Sequence, residues 1–259
     1  MTTRVTLTVT GQLARIRFAA ENGIQLLTKD VRAELSRCLD QLETRPAISV
    51  VLFEAAGRTF IAGADIQELM ALTAETAADN SRAGQALMSR IEKLPATTVI
   101  AIHAACAGGG CELALACDLR MAAESAVIGL PETGIGIVPG WGGTVRATRV
   151  LGSMAARRLI LCGELLSAAQ AFEMGFVDEA FTDNTFRDNV EQRLQLLLTR
   201  GPFARAQAKR LIRQFEGPDS AAQFEAEALA FAECYVSGEP HIGMQAFFDK
   251  CDRPKWPAA

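Results

Sequence analysis

The sequence predicts an α/β fold with a helical C-terminal region, on three observations. Strand-like and helix-like segments alternate through the first half, and the last third reads as consecutive helices. Of 259 residues, 49% are hydrophobic and 22% charged, a globular balance with enough apolar mass for a large core. That length suits one large domain or two small ones, and we expect a core over 1–200 and a helical region over 201–259.

Val5–Thr10 and Ala14–Phe18 alternate with a period near two and form a hairpin around Gly11 and Gln12. Thr28 caps a helix reaching Leu42, with Val31, Leu35, Cys38, Leu39 and Leu42 on one face; Pro46 lies just beyond its end. Ser49–Glu54 is a buried strand, followed by a glycine-bearing loop to Asp65. A short helix begins at Ile66, and a longer one spans Ala74–Lys93 before Pro95. Thr97–Ile102 is a strand, then come a glycine run, an apolar helix, and short strands at Leu119–Ala122 and Val127–Gly129. Beyond Gly143 the expected helices are Thr144–Val150, Ser153–Cys162, Ser167–Met174, Asn184–Thr199, Pro202–Gln214, Asp219–Tyr235 and Glu239–Lys250. Ser167 with Gln170 fits a capping box.

Composition narrows the function. With 26 Lys+Arg and 30 Asp+Glu, the net charge of −4 argues against nucleic acid as the main ligand. Cys38, Cys106, Cys111, Cys117, Cys162, Cys234 and Cys251 are odd in number and contain no CxxC, as free thiols in a reducing compartment would be. The longest uncharged run, Leu94–Cys111, is too polar and broken to span a membrane, and the opening MTTRVTLTVT does not resemble a secretory leader. A soluble, cytoplasmic protein with no membrane partner is expected.

Common catalytic signatures are absent: there is no GxxxxGK[ST], HExxH or GxSxG, and Pro139 stands where GxGxxG needs its third glycine after Gly134 and Gly136. With only His103 and His241, a histidine triad or zinc site has little to draw on, and His103 reads as a satisfied core residue. Three segments stand out instead. Ala107-Gly108-Gly109-Gly110-Cys111-Glu112 opens an apolar helix, so its amides are accessible and Glu112 lies in a buried first turn. Glu112 is either a cap for that turn or an acid–base group. Glu132 is the only ionisable residue between Val127 and Gly143, and is either a loop glutamate or a second acid. In Thr59–Ile66, small residues again expose the backbone, and Asp65 either caps the helix at Ile66 or borders a ligand. An amide here and one in Gly108–Gly110 together make a possible oxyanion hole.

These segments resemble the crotonase superfamily, closest to its enoyl-CoA hydratases. The likeness rests on FIAGADIQEL (Phe60–Leu69), AACAGGGCELALACDLRMA (Ala104–Ala122) and GLPETGIGIVPGWGGTVRATRVLG (Gly129–Gly152), and continues more weakly to GMQAFFDK (Gly243–Lys250). The resemblance implies a crotonase-like spiral of repeated ββα units with a helical C-terminal trimerisation region, and a homotrimer or a hexamer built as a dimer of trimers. It implies that the Ala64 and Gly109 amides bind the thioester oxygen of an acyl-CoA substrate. Glu112 would then deprotonate water and Glu132 exchange the proton at C2. Coenzyme A would run along Ala62, Ala64, Asp65, Ile66 and Gly109, with Phe231 and Lys250 at its nucleotide end and Pro139 and Trp141 at the acyl pocket. No metal or redox cofactor is implied, coenzyme A being part of the substrate. Two departures concern the coenzyme side: Gln67 replaces the lysine common after ADI, and the basic tail is reduced to Cys251-Asp252-Arg253. The nearest rival is an enoyl-CoA isomerase, which commonly manages with one acid at the Glu132 position; a non-catalytic CoA- or RNA-binding scaffold is opposed by the two acids, and a protease by the missing triad.

Overall fold

The computed structural model describes residues 3–214, together with the single positions Ile242 and Asp249. The chain starts with an antiparallel hairpin, β1 (Arg4–Thr10) and β2 (Leu13–Ala19), turned at Gly11. Helix α1 (Lys29–Glu43) follows, and the Thr28 hydroxyl caps it by accepting from the Val31 amide at 3.3 Å. Its buried residues are Val31, Leu35, Cys38, Leu39 and Leu42, the apolar face of the periodic pattern.

Three turns of a repeated unit then build the body. In the first, β3 (Val50–Ala56) and β4 (Thr59–Ile61) precede α2 (Ile66–Met70) and α3 (Ala74–Lys93). In the second, β5 (Thr97–Ile102) and β6 (Ala105–Ala107) precede α4 (Gly109–Ala116). In the third, β7 (Leu119–Ala123) and β8 (Val127–Gly129) precede a 3-10 turn at Glu132–Ile135 and α5 (Gly143–Leu161). Within each unit the first strand joins a large sheet and the second a small one. The large sheet has the order β1-β2-β3-β5-β7-β10 and the small one β4-β6-β8-β9. β9 (Leu165–Ser167), α6 (Ala168–Glu173), β10 (Glu179–Phe181), α7 (Asp183–Leu198) and α8 (Pro202–Gln214) complete the described part. The neighbouring strands β2, β3, β5, β7 and β10 are parallel in the large sheet, as are β4, β6 and β8 in the small one; β9 is antiparallel to β8.

The central strands β3 and β5 of the large sheet are covered on both faces, so their buried stretches Val50–Phe53 and Val99–Ile102 are apolar without alternation. Val51 and Phe53 enter the main core with Ile100, Ile102 and Ala122, whereas Val50 and Leu52 pack with Phe186, Val190 and Leu194 of α7. α8 docks through charge: Arg205 donates to the Ser49 carbonyl (3.0 Å) and Thr97 hydroxyl (2.6 Å), and Lys209 pairs with Asp118 at 2.7 Å.

Several expectations are corrected. The loop before Asp65 contains β4, and the supposedly helical stretch after Gly143 contains β9 and β10. Each is a three-residue strand, too short for periodicity to register. The Ser49–Glu54 strand is shifted to Val50–Ala56. The two helices expected at Thr144–Val150 and Ser153–Cys162 are present as the two parts of α5, which meet at Gly152, non-helical at φ 75°. His103 is not a core residue: β5 ends at Ile102, leaving it half-buried with Nε2 3.0 Å from the Gly57 carbonyl. Cys38, Cys106, Cys111 and Cys117 are buried free thiols, but Cys162 is exposed. The expected helices Asp219–Tyr235 and Glu239–Lys250, with His241, Cys234 and Cys251, lie outside the described residues.

Candidate active site

Because β4, β6 and β8 are neighbours in the small sheet, the segments that follow them come together at one end of it. They line a single cleft of about 1290 Å3 that includes Ala62, Ala64, Gly109, Glu112, Glu132 and Trp141. α3 supplies another wall through Ala77, Asn80 and Ser81.

The first segment is pinned by Ala62 donating to the Gln25 carbonyl and Leu27 donating to that of Gly63, both at 2.8 Å. Gly63 has φ 112°, and a Cβ on it would stand 3.1 Å from the Ala107 carbonyl oxygen and 3.7 Å from the Gly109 nitrogen. The peptide preceding Ala64 therefore lies against the start of α4. Gly109 is the first residue of that helix, where an amide has no carbonyl four residues back within the helix. Among the described residues, no protein acceptor takes the Ala64 or Gly109 amide.

The glycine run fits its surroundings closely. A Cβ on Gly110 would lie 2.3 Å from the Ile61 carbonyl oxygen, and one on Gly109 would lie 2.4 Å from the Trp141 ring. Gly108, with φ 52°, is 3.2 Å from Glu132 Oε1 by the same construction. A side chain is excluded by backbone at Gly110 and by the aromatic ring at Gly109, while at Gly108 it is disfavoured by the positive φ and crowds the Glu132 carboxylate.

The two acids are both buried, Glu112 at 2% and Glu132 at 9% exposure. Glu112 Oε1 accepts from the amides of Trp141 (2.7 Å) and Gly143 (2.8 Å). Burial pushes its pKa from 4.5 up to about 7; repulsion from Glu132 adds to this, while the two amides and Arg146 oppose it. Glu132 is also raised, chiefly by burial and against its own backbone amide. Glu132 Oε2 is buried and has no hydrogen-bond partner among the described residues, a costly condition for a carboxyl unless a ligand meets it. The arrangement offers two unspent donors and two acids with raised pKa on an otherwise largely apolar cleft, suited to proton transfer beside a developing oxyanion.

The remaining sequence-derived positions divide. Ala62, Asp65 and Ile66 border the cleft, and Asp65 also caps α2 by accepting from Gln67 at 2.8 Å. Trp141 lines it, its ring close against Gly84 of α3 and Gly109 of α4, with the Arg32 guanidinium 4.6 Å from the ring centre. Pro139 is corrected: it is buried against Gly143 and does not border the cleft, whereas its neighbours Val138 and Gly140 do. Phe231 and Lys250 lie outside the described residues. Sequence reasoning missed the Trp141 and Gly143 amides as the partners of Glu112, and the wall from α3. Backbone donors leave no residue-type signal, although the glycines around Trp141 mark a tight turn.

A family model described as enoyl-CoA hydratase/isomerase matches residues 9–258. A probable enoyl-CoA hydratase from Bacillus subtilis is 37% identical over 228 residues, covering 86% of this chain and 88% of that protein. A crotonyl-CoA hydratase from Syntrophomonas wolfei is 30% identical over 92% of each. The crystal structure of an enoyl-CoA hydratase from Bacillus anthracis superposes with a TM-score of 0.92 at 31% identity, covering 98% of this chain and 99% of that one. The alternation of strands between two sheets is thus the crotonase fold expected from the motifs, and the chain belongs to the enoyl-CoA hydratase/isomerase family.

Proposed function

We propose that the protein is an enoyl-CoA hydratase, a hydro-lyase adding water syn across the 2,3 double bond of a 2-enoyl-CoA to give the 3-hydroxyacyl-CoA. The observation that carries this reading is the pair of buried acids, one with an unpartnered oxygen, on the same cleft as two unspent amides. The hydratases named among its relatives support it.

The thioester oxygen accepts from the Ala64 and Gly109 amides, which stabilise the enolate formed when water attacks C3. One such donor typically contributes about 2.7–4 kcal/mol to lowering a barrier. Ionised Glu112 takes the proton from water as the new C3–O bond forms, and protonated Glu132 gives its proton to C2. Proton exchange between the pair then restores the starting state. Repulsion from Glu132 raises the Glu112 pKa, while the amides on Glu112 Oε1 favour its ionised form as the base. Activation comes from the amides and acids, so the reaction needs no metal or redox cofactor.

The coenzyme portion follows the rim at Ala62, Ala64, Asp65 and Ile66, and Trp141 bounds the acyl side. We assign a homotrimer, alone or paired as a hexamer, supported by the exposed apolar side chains Met154, Leu161, Leu165 and Phe172; light scattering that finds only monomer refutes it. No helix among the described residues is long and apolar enough to cross a membrane, and the five cysteines among those residues, all free thiols, favour a cytoplasmic setting. The decisive assay is hydration of crotonyl-CoA, followed by loss of the enoyl absorbance. Unchanged absorbance with folded protein refutes the reading, and double-bond migration without hydration assigns an isomerase instead.

A further inference from the structure

We propose that Arg146, clamped by Glu92 and Ser89, is a positioning residue that fixes the Trp141–Gly143 turn and thereby aims the Glu112 carboxylate. The inference rests on the acid–base role proposed for Glu112 and extends it to a group outside the cleft. Arg146 is only 7% exposed and does not border the cleft. A buried guanidinium is costly unless it is paired and hydrogen-bonded, and here each of its three nitrogens donates. Nε and Nη2 donate to Glu92 Oε2 at 3.2 and 2.9 Å, and Nη2 also donates to the Ser89 hydroxyl at 3.0 Å. Nη1 donates to the Trp141 carbonyl at 3.1 Å.

That last bond links the clamp to the chemistry. The Trp141 carbonyl faces Arg146, while the Trp141 and Gly143 amides face Glu112. The turn between them is tight: Gly142 has φ 102°, and a Cβ there would stand 2.1 Å from Nη1. The guanidinium therefore fills the outer side of a turn whose inner side grips Oε1. Glu92 is itself held, with Arg213 at 3.4 Å and Arg149 at 3.9 Å, so the clamp joins α3, α5 and α8. The charged groups bearing on Glu112 are Glu132 and Arg146, with opposite effects. Removing Arg146 frees the turn and deletes the cation that favours ionised Glu112.

The test compares wild type with Arg146→Met, Arg146→Lys, Glu92→Gln and Glu112→Gln in hydration of crotonyl-CoA across pH. R146M is expected to lose about 100-fold in kcat, as small misplacement of a reacting group does. Its KM should stay within about threefold, because the lost interaction acts at the chemical step. The acid limb of its kcat profile should move to higher pH, and R146K, which can still donate to Trp141, should recover part of kcat. Folded R146M with wild-type kcat and an unmoved limb overturns the proposal. Should R146M fail to fold, E92Q, which loosens the clamp but keeps the cation, must show the kcat loss in smaller degree with KM little changed, and wild-type kcat there overturns it equally. If wild type hydrates no enoyl-CoA, the hydratase reading alone fails. The clamp is then judged by difference-infrared titration of the Glu112 carboxyl, identified by its loss in E112Q: a raised midpoint in R146M, or in R146K where R146M does not fold, supports it, and an unchanged one overturns it.

Discussion

Replacing Glu112 by glutamine separates what this residue does for chemistry from what it costs the fold. Glutamine keeps an oxygen to accept from the Trp141 and Gly143 amides and abolishes ionisation. In the folded protein Glu112 titrates near 7, against 4.5 for an ordinary glutamate. A carboxyl with a raised folded-state pKa supports folding fully below the unfolded value and loses that support as pH rises through the folded value. The rise from 4.5 to about 7 corresponds to about 3 kcal/mol, since each tenfold is worth about 1.4 kcal/mol. E112Q should therefore gain stability over wild type progressively between pH 4.5 and 7, reaching about 3 kcal/mol, or about 6–12 °C in Tm, above that window. Over the same range hydration should fall about 100- to 10,000-fold through loss of the base. Thermal or urea unfolding of both proteins from pH 4 to 8 measures the first effect. Parallel stability curves across that window would show that Glu112 does not titrate as a buried acid, and the reasoning would fail.

Glu132→Gln should likewise lower hydration about 100- to 10,000-fold while calorimetry still finds crotonyl-CoA binding, because the amide pair is intact. Gly110→Ala forces a Cβ against the Ile61 carbonyl; because neither backbone can yield, it should cost about 1–3 kcal/mol or more, read as a lowered Tm. Gly109→Ala drives a methyl into the Trp141 ring, which has no room toward Gly84. Altered tryptophan fluorescence and an about 100- to 1,000-fold loss of turnover are expected. Thr28→Ala removes the α1 cap and should cost about 1 kcal/mol in urea unfolding.

What the sequence made legible follows from how each feature is encoded. α1 was readable from Thr28 and its apolar spacing, and α8 from Pro202 to Gln214, because helical periodicity and caps are written in side chains. Of the small sheet only Val127–Gly129 was legible, since all four of its strands have only three residues and their pairing is non-local. Glu112 and Glu132 stood out as lone acids in apolar, glycine-rich surroundings, and burial is the physical content of that pattern. Pro139 was misplaced because chain proximity to Trp141 does not reveal which way a turn faces. Arg146 and Glu92, 54 positions apart, look like surface charges until the fold brings them together.

The alternation of strands between the two sheets has a consequence for how the chemistry can change. Each circuit of the spiral delivers one instalment: the first an amide donor, the second a donor and a carboxyl, the third a carboxyl and the turn that orients its partner. Each instalment hangs from its own short strand, yet the stations interlock: the third circuit's turn grips the carboxyl of the second, and the Trp141 ring presses on Gly109. A new reaction on this frame therefore means changing neighbouring loops together while the two sheets stay as they are.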